Sequence, residues 1–281
     1  MADLARIEER QAQQEFRITV MLAVLGVSLI VIGLFITPLD QVLDGLWTII
    51  TSSSILITDY VALANLGAAL VNAGLVTLIG LMFARAIRAK FSGYLISAIF
   101  TMAGFAFFGK NVLNIWPIFA GVFVYSRLAQ KPMRDLLAPA LFGTTLSPIV
   151  SEIAFGENFA FFDAFQVPIG MLAGVGAGIL LAALMKHVFS LHLGYNLYNT
   201  GTTGGFVATV FYIMLRGFGI TIEPAFYWSD DPTITLFLAG LTVTVCALLI
   251  IFGFRWSGSV KGYQKIIAKT GKLSNDFVDI A

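Results

Sequence analysis

Charge is scarce in this chain. Only 12% of its 281 residues are Asp, Glu, Lys or Arg, about half the share of a soluble globular protein. With 58% hydrophobic residues and a mean hydropathy of +0.88, that scarcity argues against a water-soluble domain. Cysteine is almost absent: Cys246 stands alone in an apolar run, which excludes a disulfide framework and a thiolate metal cluster. The two histidines, His187 and His192, are five positions apart, so they do not form the i, i+4 metal pair of one helix face. No complete GxxxxGK[ST] loop, HExxH or GxSxG is present, which argues against ATP-driven transport by this chain alone and against hydrolytic chemistry. A net charge of +1 gives no reason to expect nucleic acid as a partner. The sequence therefore predicts no cofactor, no metal and no enzymatic activity.

What the chain does have is long uncharged apolar runs. Ile18–Thr37, Val61–Ala84, Val167–Met185 and Thr233–Phe254 each approach or pass the roughly 20 residues that cross a bilayer as a helix. Continuous runs of this kind argue against a barrel of alternating strands. The expected fold class is an all-α polytopic membrane protein of about eight crossings with broken or re-entrant segments. The shorter or interrupted crossings are 92–108, 112–125, 136–151 and 188–215. Segment 45–58 is too short to span. Residues 1–17 read as a cytoplasmic lead-in rather than a signal peptide, 18–254 as the membrane domain and 255–281 as a cytoplasmic segment. With both termini inside, 15 of the 17 basic residues fall on the inner side, all but Lys110 and Arg216. That is the bias expected for a plasma-membrane protein, with the lipid bilayer as its first partner.

Shifting the sequence by 217 positions lays 45–64 over 262–281 with six identities, Asp59 over Asp276 among them. Helix 18–37 lies over 235–254 at the same offset. The two copies would have opposite topology, the inverted-repeat architecture of many secondary transporters. The second copy stops early, which predicts either a longer protein or a partner that supplies the missing half. A homo-oligomer is the other expectation.

Three polar segments interrupt the apolar background. In LHLGYNLYNTGTTGG, the residues His192, Tyr195, Asn196, Asn199, Thr200 and Thr203 share one face if the segment is a helix. Such a face must meet protein or water, because lipid offers it no partners. It is either a solute pathway or glue between helices. In FGKNVLNIWP, Lys110, Asn111 and Asn114 cluster, and Lys110 would attract an anion, pair with Glu152 or snorkel from a hairpin corner. In LFGTTLSPIVSEIAFGEN, Thr144, Thr145, Ser147, Ser151 and Glu152 surround Pro148, which should kink the helix. The freed carbonyls, hydroxyls and carboxylate there suit Na⁺ or a proton, or they only re-satisfy the kink. Gly170, Gly174 and Gly178 form a ridge for close helix approach. Asn65 and Asn72 share a helix face, which predicts that they line the same cavity.

On FGKNVLNIWP, FGTTLSPIVSE and HLGYNLYNTGTTGG the chain resembles a family of uncharacterised polytopic bacterial membrane proteins, common in Gram-positive anaerobes. Members look longer, with a second glycine- and proline-rich half, and the resemblance implies no substrate. The function expected is a transporter or channel-like permease for a small neutral or anionic polar solute. A structural or assembly subunit is the alternative, ahead of a membrane enzyme using His192 and Tyr195.

Overall fold

The computed structural model describes residues 2–192, 199–222, 226–257, 259 and 261–268. Among these residues the chain is built of helices, joined by turns and one isolated bridge between Asp59 and Phe108. Twelve α-helices follow in order: α1 Ala2–Ile36, α2 Leu39–Thr51, α3 Tyr60–Leu63, α4 Leu66–Ala86, α5 Gly93–Phe105, α6 Ile115–Leu128, α7 Met133–Gly143, α8 Ser147–Phe155, α9 Gln166–His192, α10 Asn199–Gly217, α11 Pro232–Ser257 and α12 Lys261–Ile267.

Five stretches are long and apolar enough to cross a membrane: Gln11–Ile36, Leu66–Ala86, Met133–Phe155, Glu157–His192 and Pro232–Trp256. They fit a multi-pass helical membrane protein. The expected eight crossings do not all appear as such. Helices α5 and α6 have 13 and 14 residues, about 20 Å each at 1.5 Å per residue, against a hydrocarbon layer of about 30 Å.

Two glycine crossings hold the bundle together. Gly26 and Gly33 of α1 lie against Gly74 and Gly67 of α4, so close that a methyl group on Gly33 would sit 2.7 Å from the Gly67 carbonyl. The expected ridge on α9 is the second. Gly170 and Gly174 receive Val150 and Ala154 of α8, and Gly178 meets Gly121 of α6 with room only for backbone. Small residues are what allow helices to pack this tightly in lipid, where no hydrophobic drive separates protein from solvent.

The expected span from Val61 to Ala84 is interrupted. Asp59 caps α3 by accepting from the Val61 N–H at 2.8 Å, and Asn65 caps α4 by accepting from the Ala68 N–H at 2.8 Å. The run Met133–Phe155 bends where Pro148 predicts. Pro148 has no N–H to offer the Thr144 carbonyl, which instead accepts from the Ser147 N–H and tightens Thr144–Leu146 into a 3-10 turn. Thr144 Oγ1 donates to the Leu141 carbonyl at 2.6 Å in the same bend.

The single broken crossing expected over 188–215 is corrected. Residues up to His192 belong to α9, and α10 returns antiparallel beside it. Asn199 faces Met185, Gly204 faces Leu181 and Phe211 faces Gly176. The repeat expected over 262–281 falls largely outside the described residues.

Basic groups gather at one end of the bundle, where Arg85 pairs with Glu15 at 3.8 Å and Arg88, Lys90 and Arg134 surround one vestibule. Asp40, Asp59, Glu157, Asp230 and Asp231 belong to the helix ends and turns of the opposite end, and Asp44 lies within α2 there.

Candidate functional site

The turn between α5 and α6 is buried backbone without a helix, and three asparagines satisfy it. Asn72 donates to the Ala106 carbonyl at 2.7 Å and to the Lys110 carbonyl at 2.8 Å, and accepts from the Val112 N–H at 3.2 Å. It lies two turns inside α4, so the hairpin tip stops short of that helix's end. Asn111 donates to the Ile49 carbonyl of α2 at 3.0 Å, and its Oδ1 accepts from Leu113 and Asn114. Asn114 donates to the Gly109 carbonyl and to Ser151 Oγ of α8, both at 2.9 Å. Gly109, at φ +60°, lets the tip lie on the Ile55 carbonyl. These contacts bring segment 52–59, the tip and α8 together. Within a membrane such backbone persists only where protein groups replace water.

Lys110 sits in this turn and is fully buried. Its Nζ makes no hydrogen bond and lies 5.2 Å over the Phe105 ring. The expectation that it snorkels or pairs with Glu152 is therefore corrected. Among the described residues the ion pairs are Arg85–Glu15 and Arg134–Asp135. The expectation for Asn65 and Asn72 is corrected too, because one is a helix cap and the other a backbone bracket.

Three cavities lie in series along α10. The first, of about 900 Å³, is a vestibule at the basic end lined by Arg88, Lys90, Ser92, Tyr94, Arg134 and Asn199 among others. The second, of about 440 Å³, is lined by Tyr94, Thr101, Phe105, Thr145, Thr200 and the glycine face Gly201, Gly204 and Gly205. The third, of about 220 Å³, is lined by Ser54, Thr145, Pro148, Glu152 and Tyr212. Tyr94 belongs to the first two cavities, while Leu56, Thr145, Leu146 and Ala208 belong to the last two. At the first junction the Tyr94 hydroxyl and Thr200 Oγ1 are hydrogen-bonded at 2.6 Å. The Tyr94 ring is held against Phe142, with centroids 5.0 Å apart.

Of the residues expected to form a pathway, Thr145, Glu152, Asn199 and Thr200 line these cavities. Lys110, Asn111, Asn114, Thr144, Ser147, His192 and Thr203 line none of the three. Thr203 Oγ1 donates to the Asn199 carbonyl at 2.8 Å, and His192 Nε2 bonds Asn199 Oδ1 at 2.9 Å across the α9–α10 pair. The expected single polar face is corrected accordingly, since His192 and Asn199 belong to different helices. Tyr195 and Asn196 lie outside the described residues.

The residues that the sequence reading missed are Tyr94, Ser54 and the basic trio Arg88, Lys90 and Arg134. Ser54 carried a signal in the hydroxyl run TSSS within an apolar segment. Tyr94 carried none, because one tyrosine in an apolar helix reads as ordinary packing.

The family model for proteins of unknown function designated DUF1576 matches residues 39–217, which run from the start of α2 to the end of α10. The chain belongs to the DUF1576 family. The tip, the bend and the lining of the three cavities fall inside the matched region, except Ile222 of the third cavity, which lies beyond it. No curated protein matches the chain, and no solved structure matches it.

Proposed function

We propose that this DUF1576 protein is a permease for a small polar solute, with the three cavities as its pathway. The observation that carries this reading is the sharing of lining residues: Tyr94 joins the first cavity to the second, and Thr145 joins the second to the third. The hydroxyls of Tyr94, Thr101, Thr145 and Thr200 suit a neutral or singly charged solute rather than a multivalent cation, which takes several carboxylates. The basic vestibule faces the cytoplasm on this reading, as the retention of Lys and Arg on the inner side of membranes favours. The Tyr94–Thr200 contact is then the inner constriction. The opposed glycine crossings and the bend at Thr144–Leu146 suit a transporter with broken helices, and the inverted repeat remains part of the proposal.

The test is aqueous access. In a Cys246→Ala background, Thr145→Cys is exposed to a membrane-impermeant thiol reagent in sealed vesicles, with Leu70→Cys as a buried control. Labelling at position 145 and silence at 70 supports the pathway. Silence at both, in inserted and folded protein, removes it. The alternative reading, an assembly subunit, is favoured by α11, whose apolar stretch is not buried within this chain. Co-purification of a stoichiometric partner without solute flux would decide for it.

A further inference from the structure

Among the described residues, buried side-chain atoms of Ser54, Tyr60, Lys110, Ser147 and Glu152 have no close hydrogen-bond partner, and the Ser54 side chain faces the Tyr60 hydroxyl. Two of these residues, Ser54 and Glu152, line the same third cavity. Ser54 is fully buried and Glu152 is 6% exposed, so neither is served by bulk water. The Ser53 side chain faces the Glu152 carboxyl, while Glu152 Oε2 has no partner. The polar side-chain atoms that this cavity presents are all oxygens, and it is lined by no lysine, arginine or histidine.

The backbone adds to the imbalance. Helix α2 ends at Thr51, immediately before Ser53 and Ser54, and Glu152 stands in the last turn of α8, which ends at Phe155. Both helices thus turn their carbonyl ends, which carry partial negative charge, toward this region. Burial beside two such ends disfavours a bare carboxylate, so Glu152 holds either a proton or a cation. Lys110, the buried lysine of the neighbouring tip, does not supply the cation, because its ammonium lies against Phe105.

We infer that Glu152, Ser53 and Ser54 form a site for a monovalent cation, Na⁺, at the end of the third cavity. An oxygen-only ligand set fits a hard cation. A single carboxylate matches one positive charge, and Ca²⁺ or Mg²⁺ would take more. Unwound backbone and helix carbonyl ends are the groups that hold Na⁺ in transporters with broken helices. The site itself does not depend on the permease reading. Its role as the place where ion binding is coupled to solute movement does rest on that reading.

The test uses the full chain purified in lipid nanodiscs. Binding of ²²Na⁺ is measured by equilibrium dialysis, and thermal unfolding is followed in NaCl and in choline chloride at equal ionic strength. The expected result is saturable binding of about one ion per chain and a higher Tm in Na⁺, since a ligand of the folded state stabilises it. Glu152→Gln, which keeps the shape of the side chain, should lose the binding and the Tm difference while unfolding as wild type does in choline. Ser54→Ala should weaken the affinity about tenfold through the loss of one ligand. Absence of saturable Na⁺ binding by the wild type overturns the inference, whatever the variants do. Undiminished binding by both Glu152→Gln and Ser54→Ala overturns it as well. If Na⁺ binds as expected while Thr145→Cys stays unlabelled, the site stands and the permease reading falls.

Discussion

Replacing Tyr94 by phenylalanine should open the inner constriction without disturbing its frame. The ring contact with Phe142 at 5.0 Å survives in the variant, so the change removes the hydroxyl and its 2.6 Å bond to Thr200. Thr200→Val removes the other partner at nearly constant volume. Hydrogen bonds between membrane helices average about 0.6 kcal/mol and reach about 1.7 kcal/mol at most. If that bond holds only the closed state, its loss raises the ratio of open to closed by roughly 3-fold to 18-fold. The assay is the rate of thiol labelling at Thr145→Cys by a reagent applied from the basic end, in Cys246→Ala protein. Each single change should speed labelling by a similar factor. The double change should add almost nothing, because the second substitution finds no bond left to break. Additive effects would show that the two hydroxyls act separately. Unchanged or slower labelling in both variants would refute the constriction.

Further outcomes follow from the same geometry. A Cβ at Gly205 meets nothing within 4 Å, so Gly205→Leu should fold normally yet fill the second cavity, abolishing labelling at position 145; unaltered labelling there would refute the continuity of the pathway. Asn72→Ala leaves two carbonyls and one N–H of the hairpin tip without partners and should cost about 2–5 kcal/mol in denaturant unfolding. Asn65→Ala removes a helix cap and should cost about 0.5–2 kcal/mol in the same assay. Gly178→Leu places a branched side chain on the Ile118 carbonyl and should destabilise by at least about 1–3 kcal/mol, with normal unfolding of that variant counting against the α6–α9 crossing.

Much of the architecture was legible because hydrophobic length is a direct physical signal. The expected spans 167–185 and 233–254 lie inside α9 and α11, 18–37 overruns the end of α1 by one residue, and the proline at 148 located the bend. Legibility failed where polar residues serve turns. Asn65 looked like part of a continuous run because one asparagine barely lowers the hydropathy of twenty neighbours, yet its side chain starts α4. Spacing over 192–203 satisfied a helical period, but periodicity assumes the helix it measures. With His192 ending α9 and Asn199 beginning α10, the two meet across an antiparallel pair instead. The glycine crossing of α1 with α4 had a readable signal in its seven-residue spacings, 26 to 33 and 67 to 74, which repeat one helix face every two turns.

A high density of polar residues in a membrane segment is therefore two signals superimposed. Non-helical backbone in lipid exposes donors and acceptors that only protein can satisfy, and asparagine, with two donors and two acceptor sites, does this best. Asn72, Asn111 and Asn114 spend their groups in this way, on the backbone of the tip and on the Ile49 carbonyl and Ser151 hydroxyl beside it, and none of them lines the three cavities described. Of the expected pathway residues, Thr145 and Thr200 combine a cavity-lining position with a hydroxyl. Around the tip the three amides hold irregular backbone, while the hydroxyls of Thr145 and Thr200 face the cavities. Substituting the asparagines should lower the yield of folded protein, whereas substituting the cavity hydroxyls should leave folding intact and alter access. A scan in which both groups shifted the same observable would mean that the tip and the cavities are one functional unit.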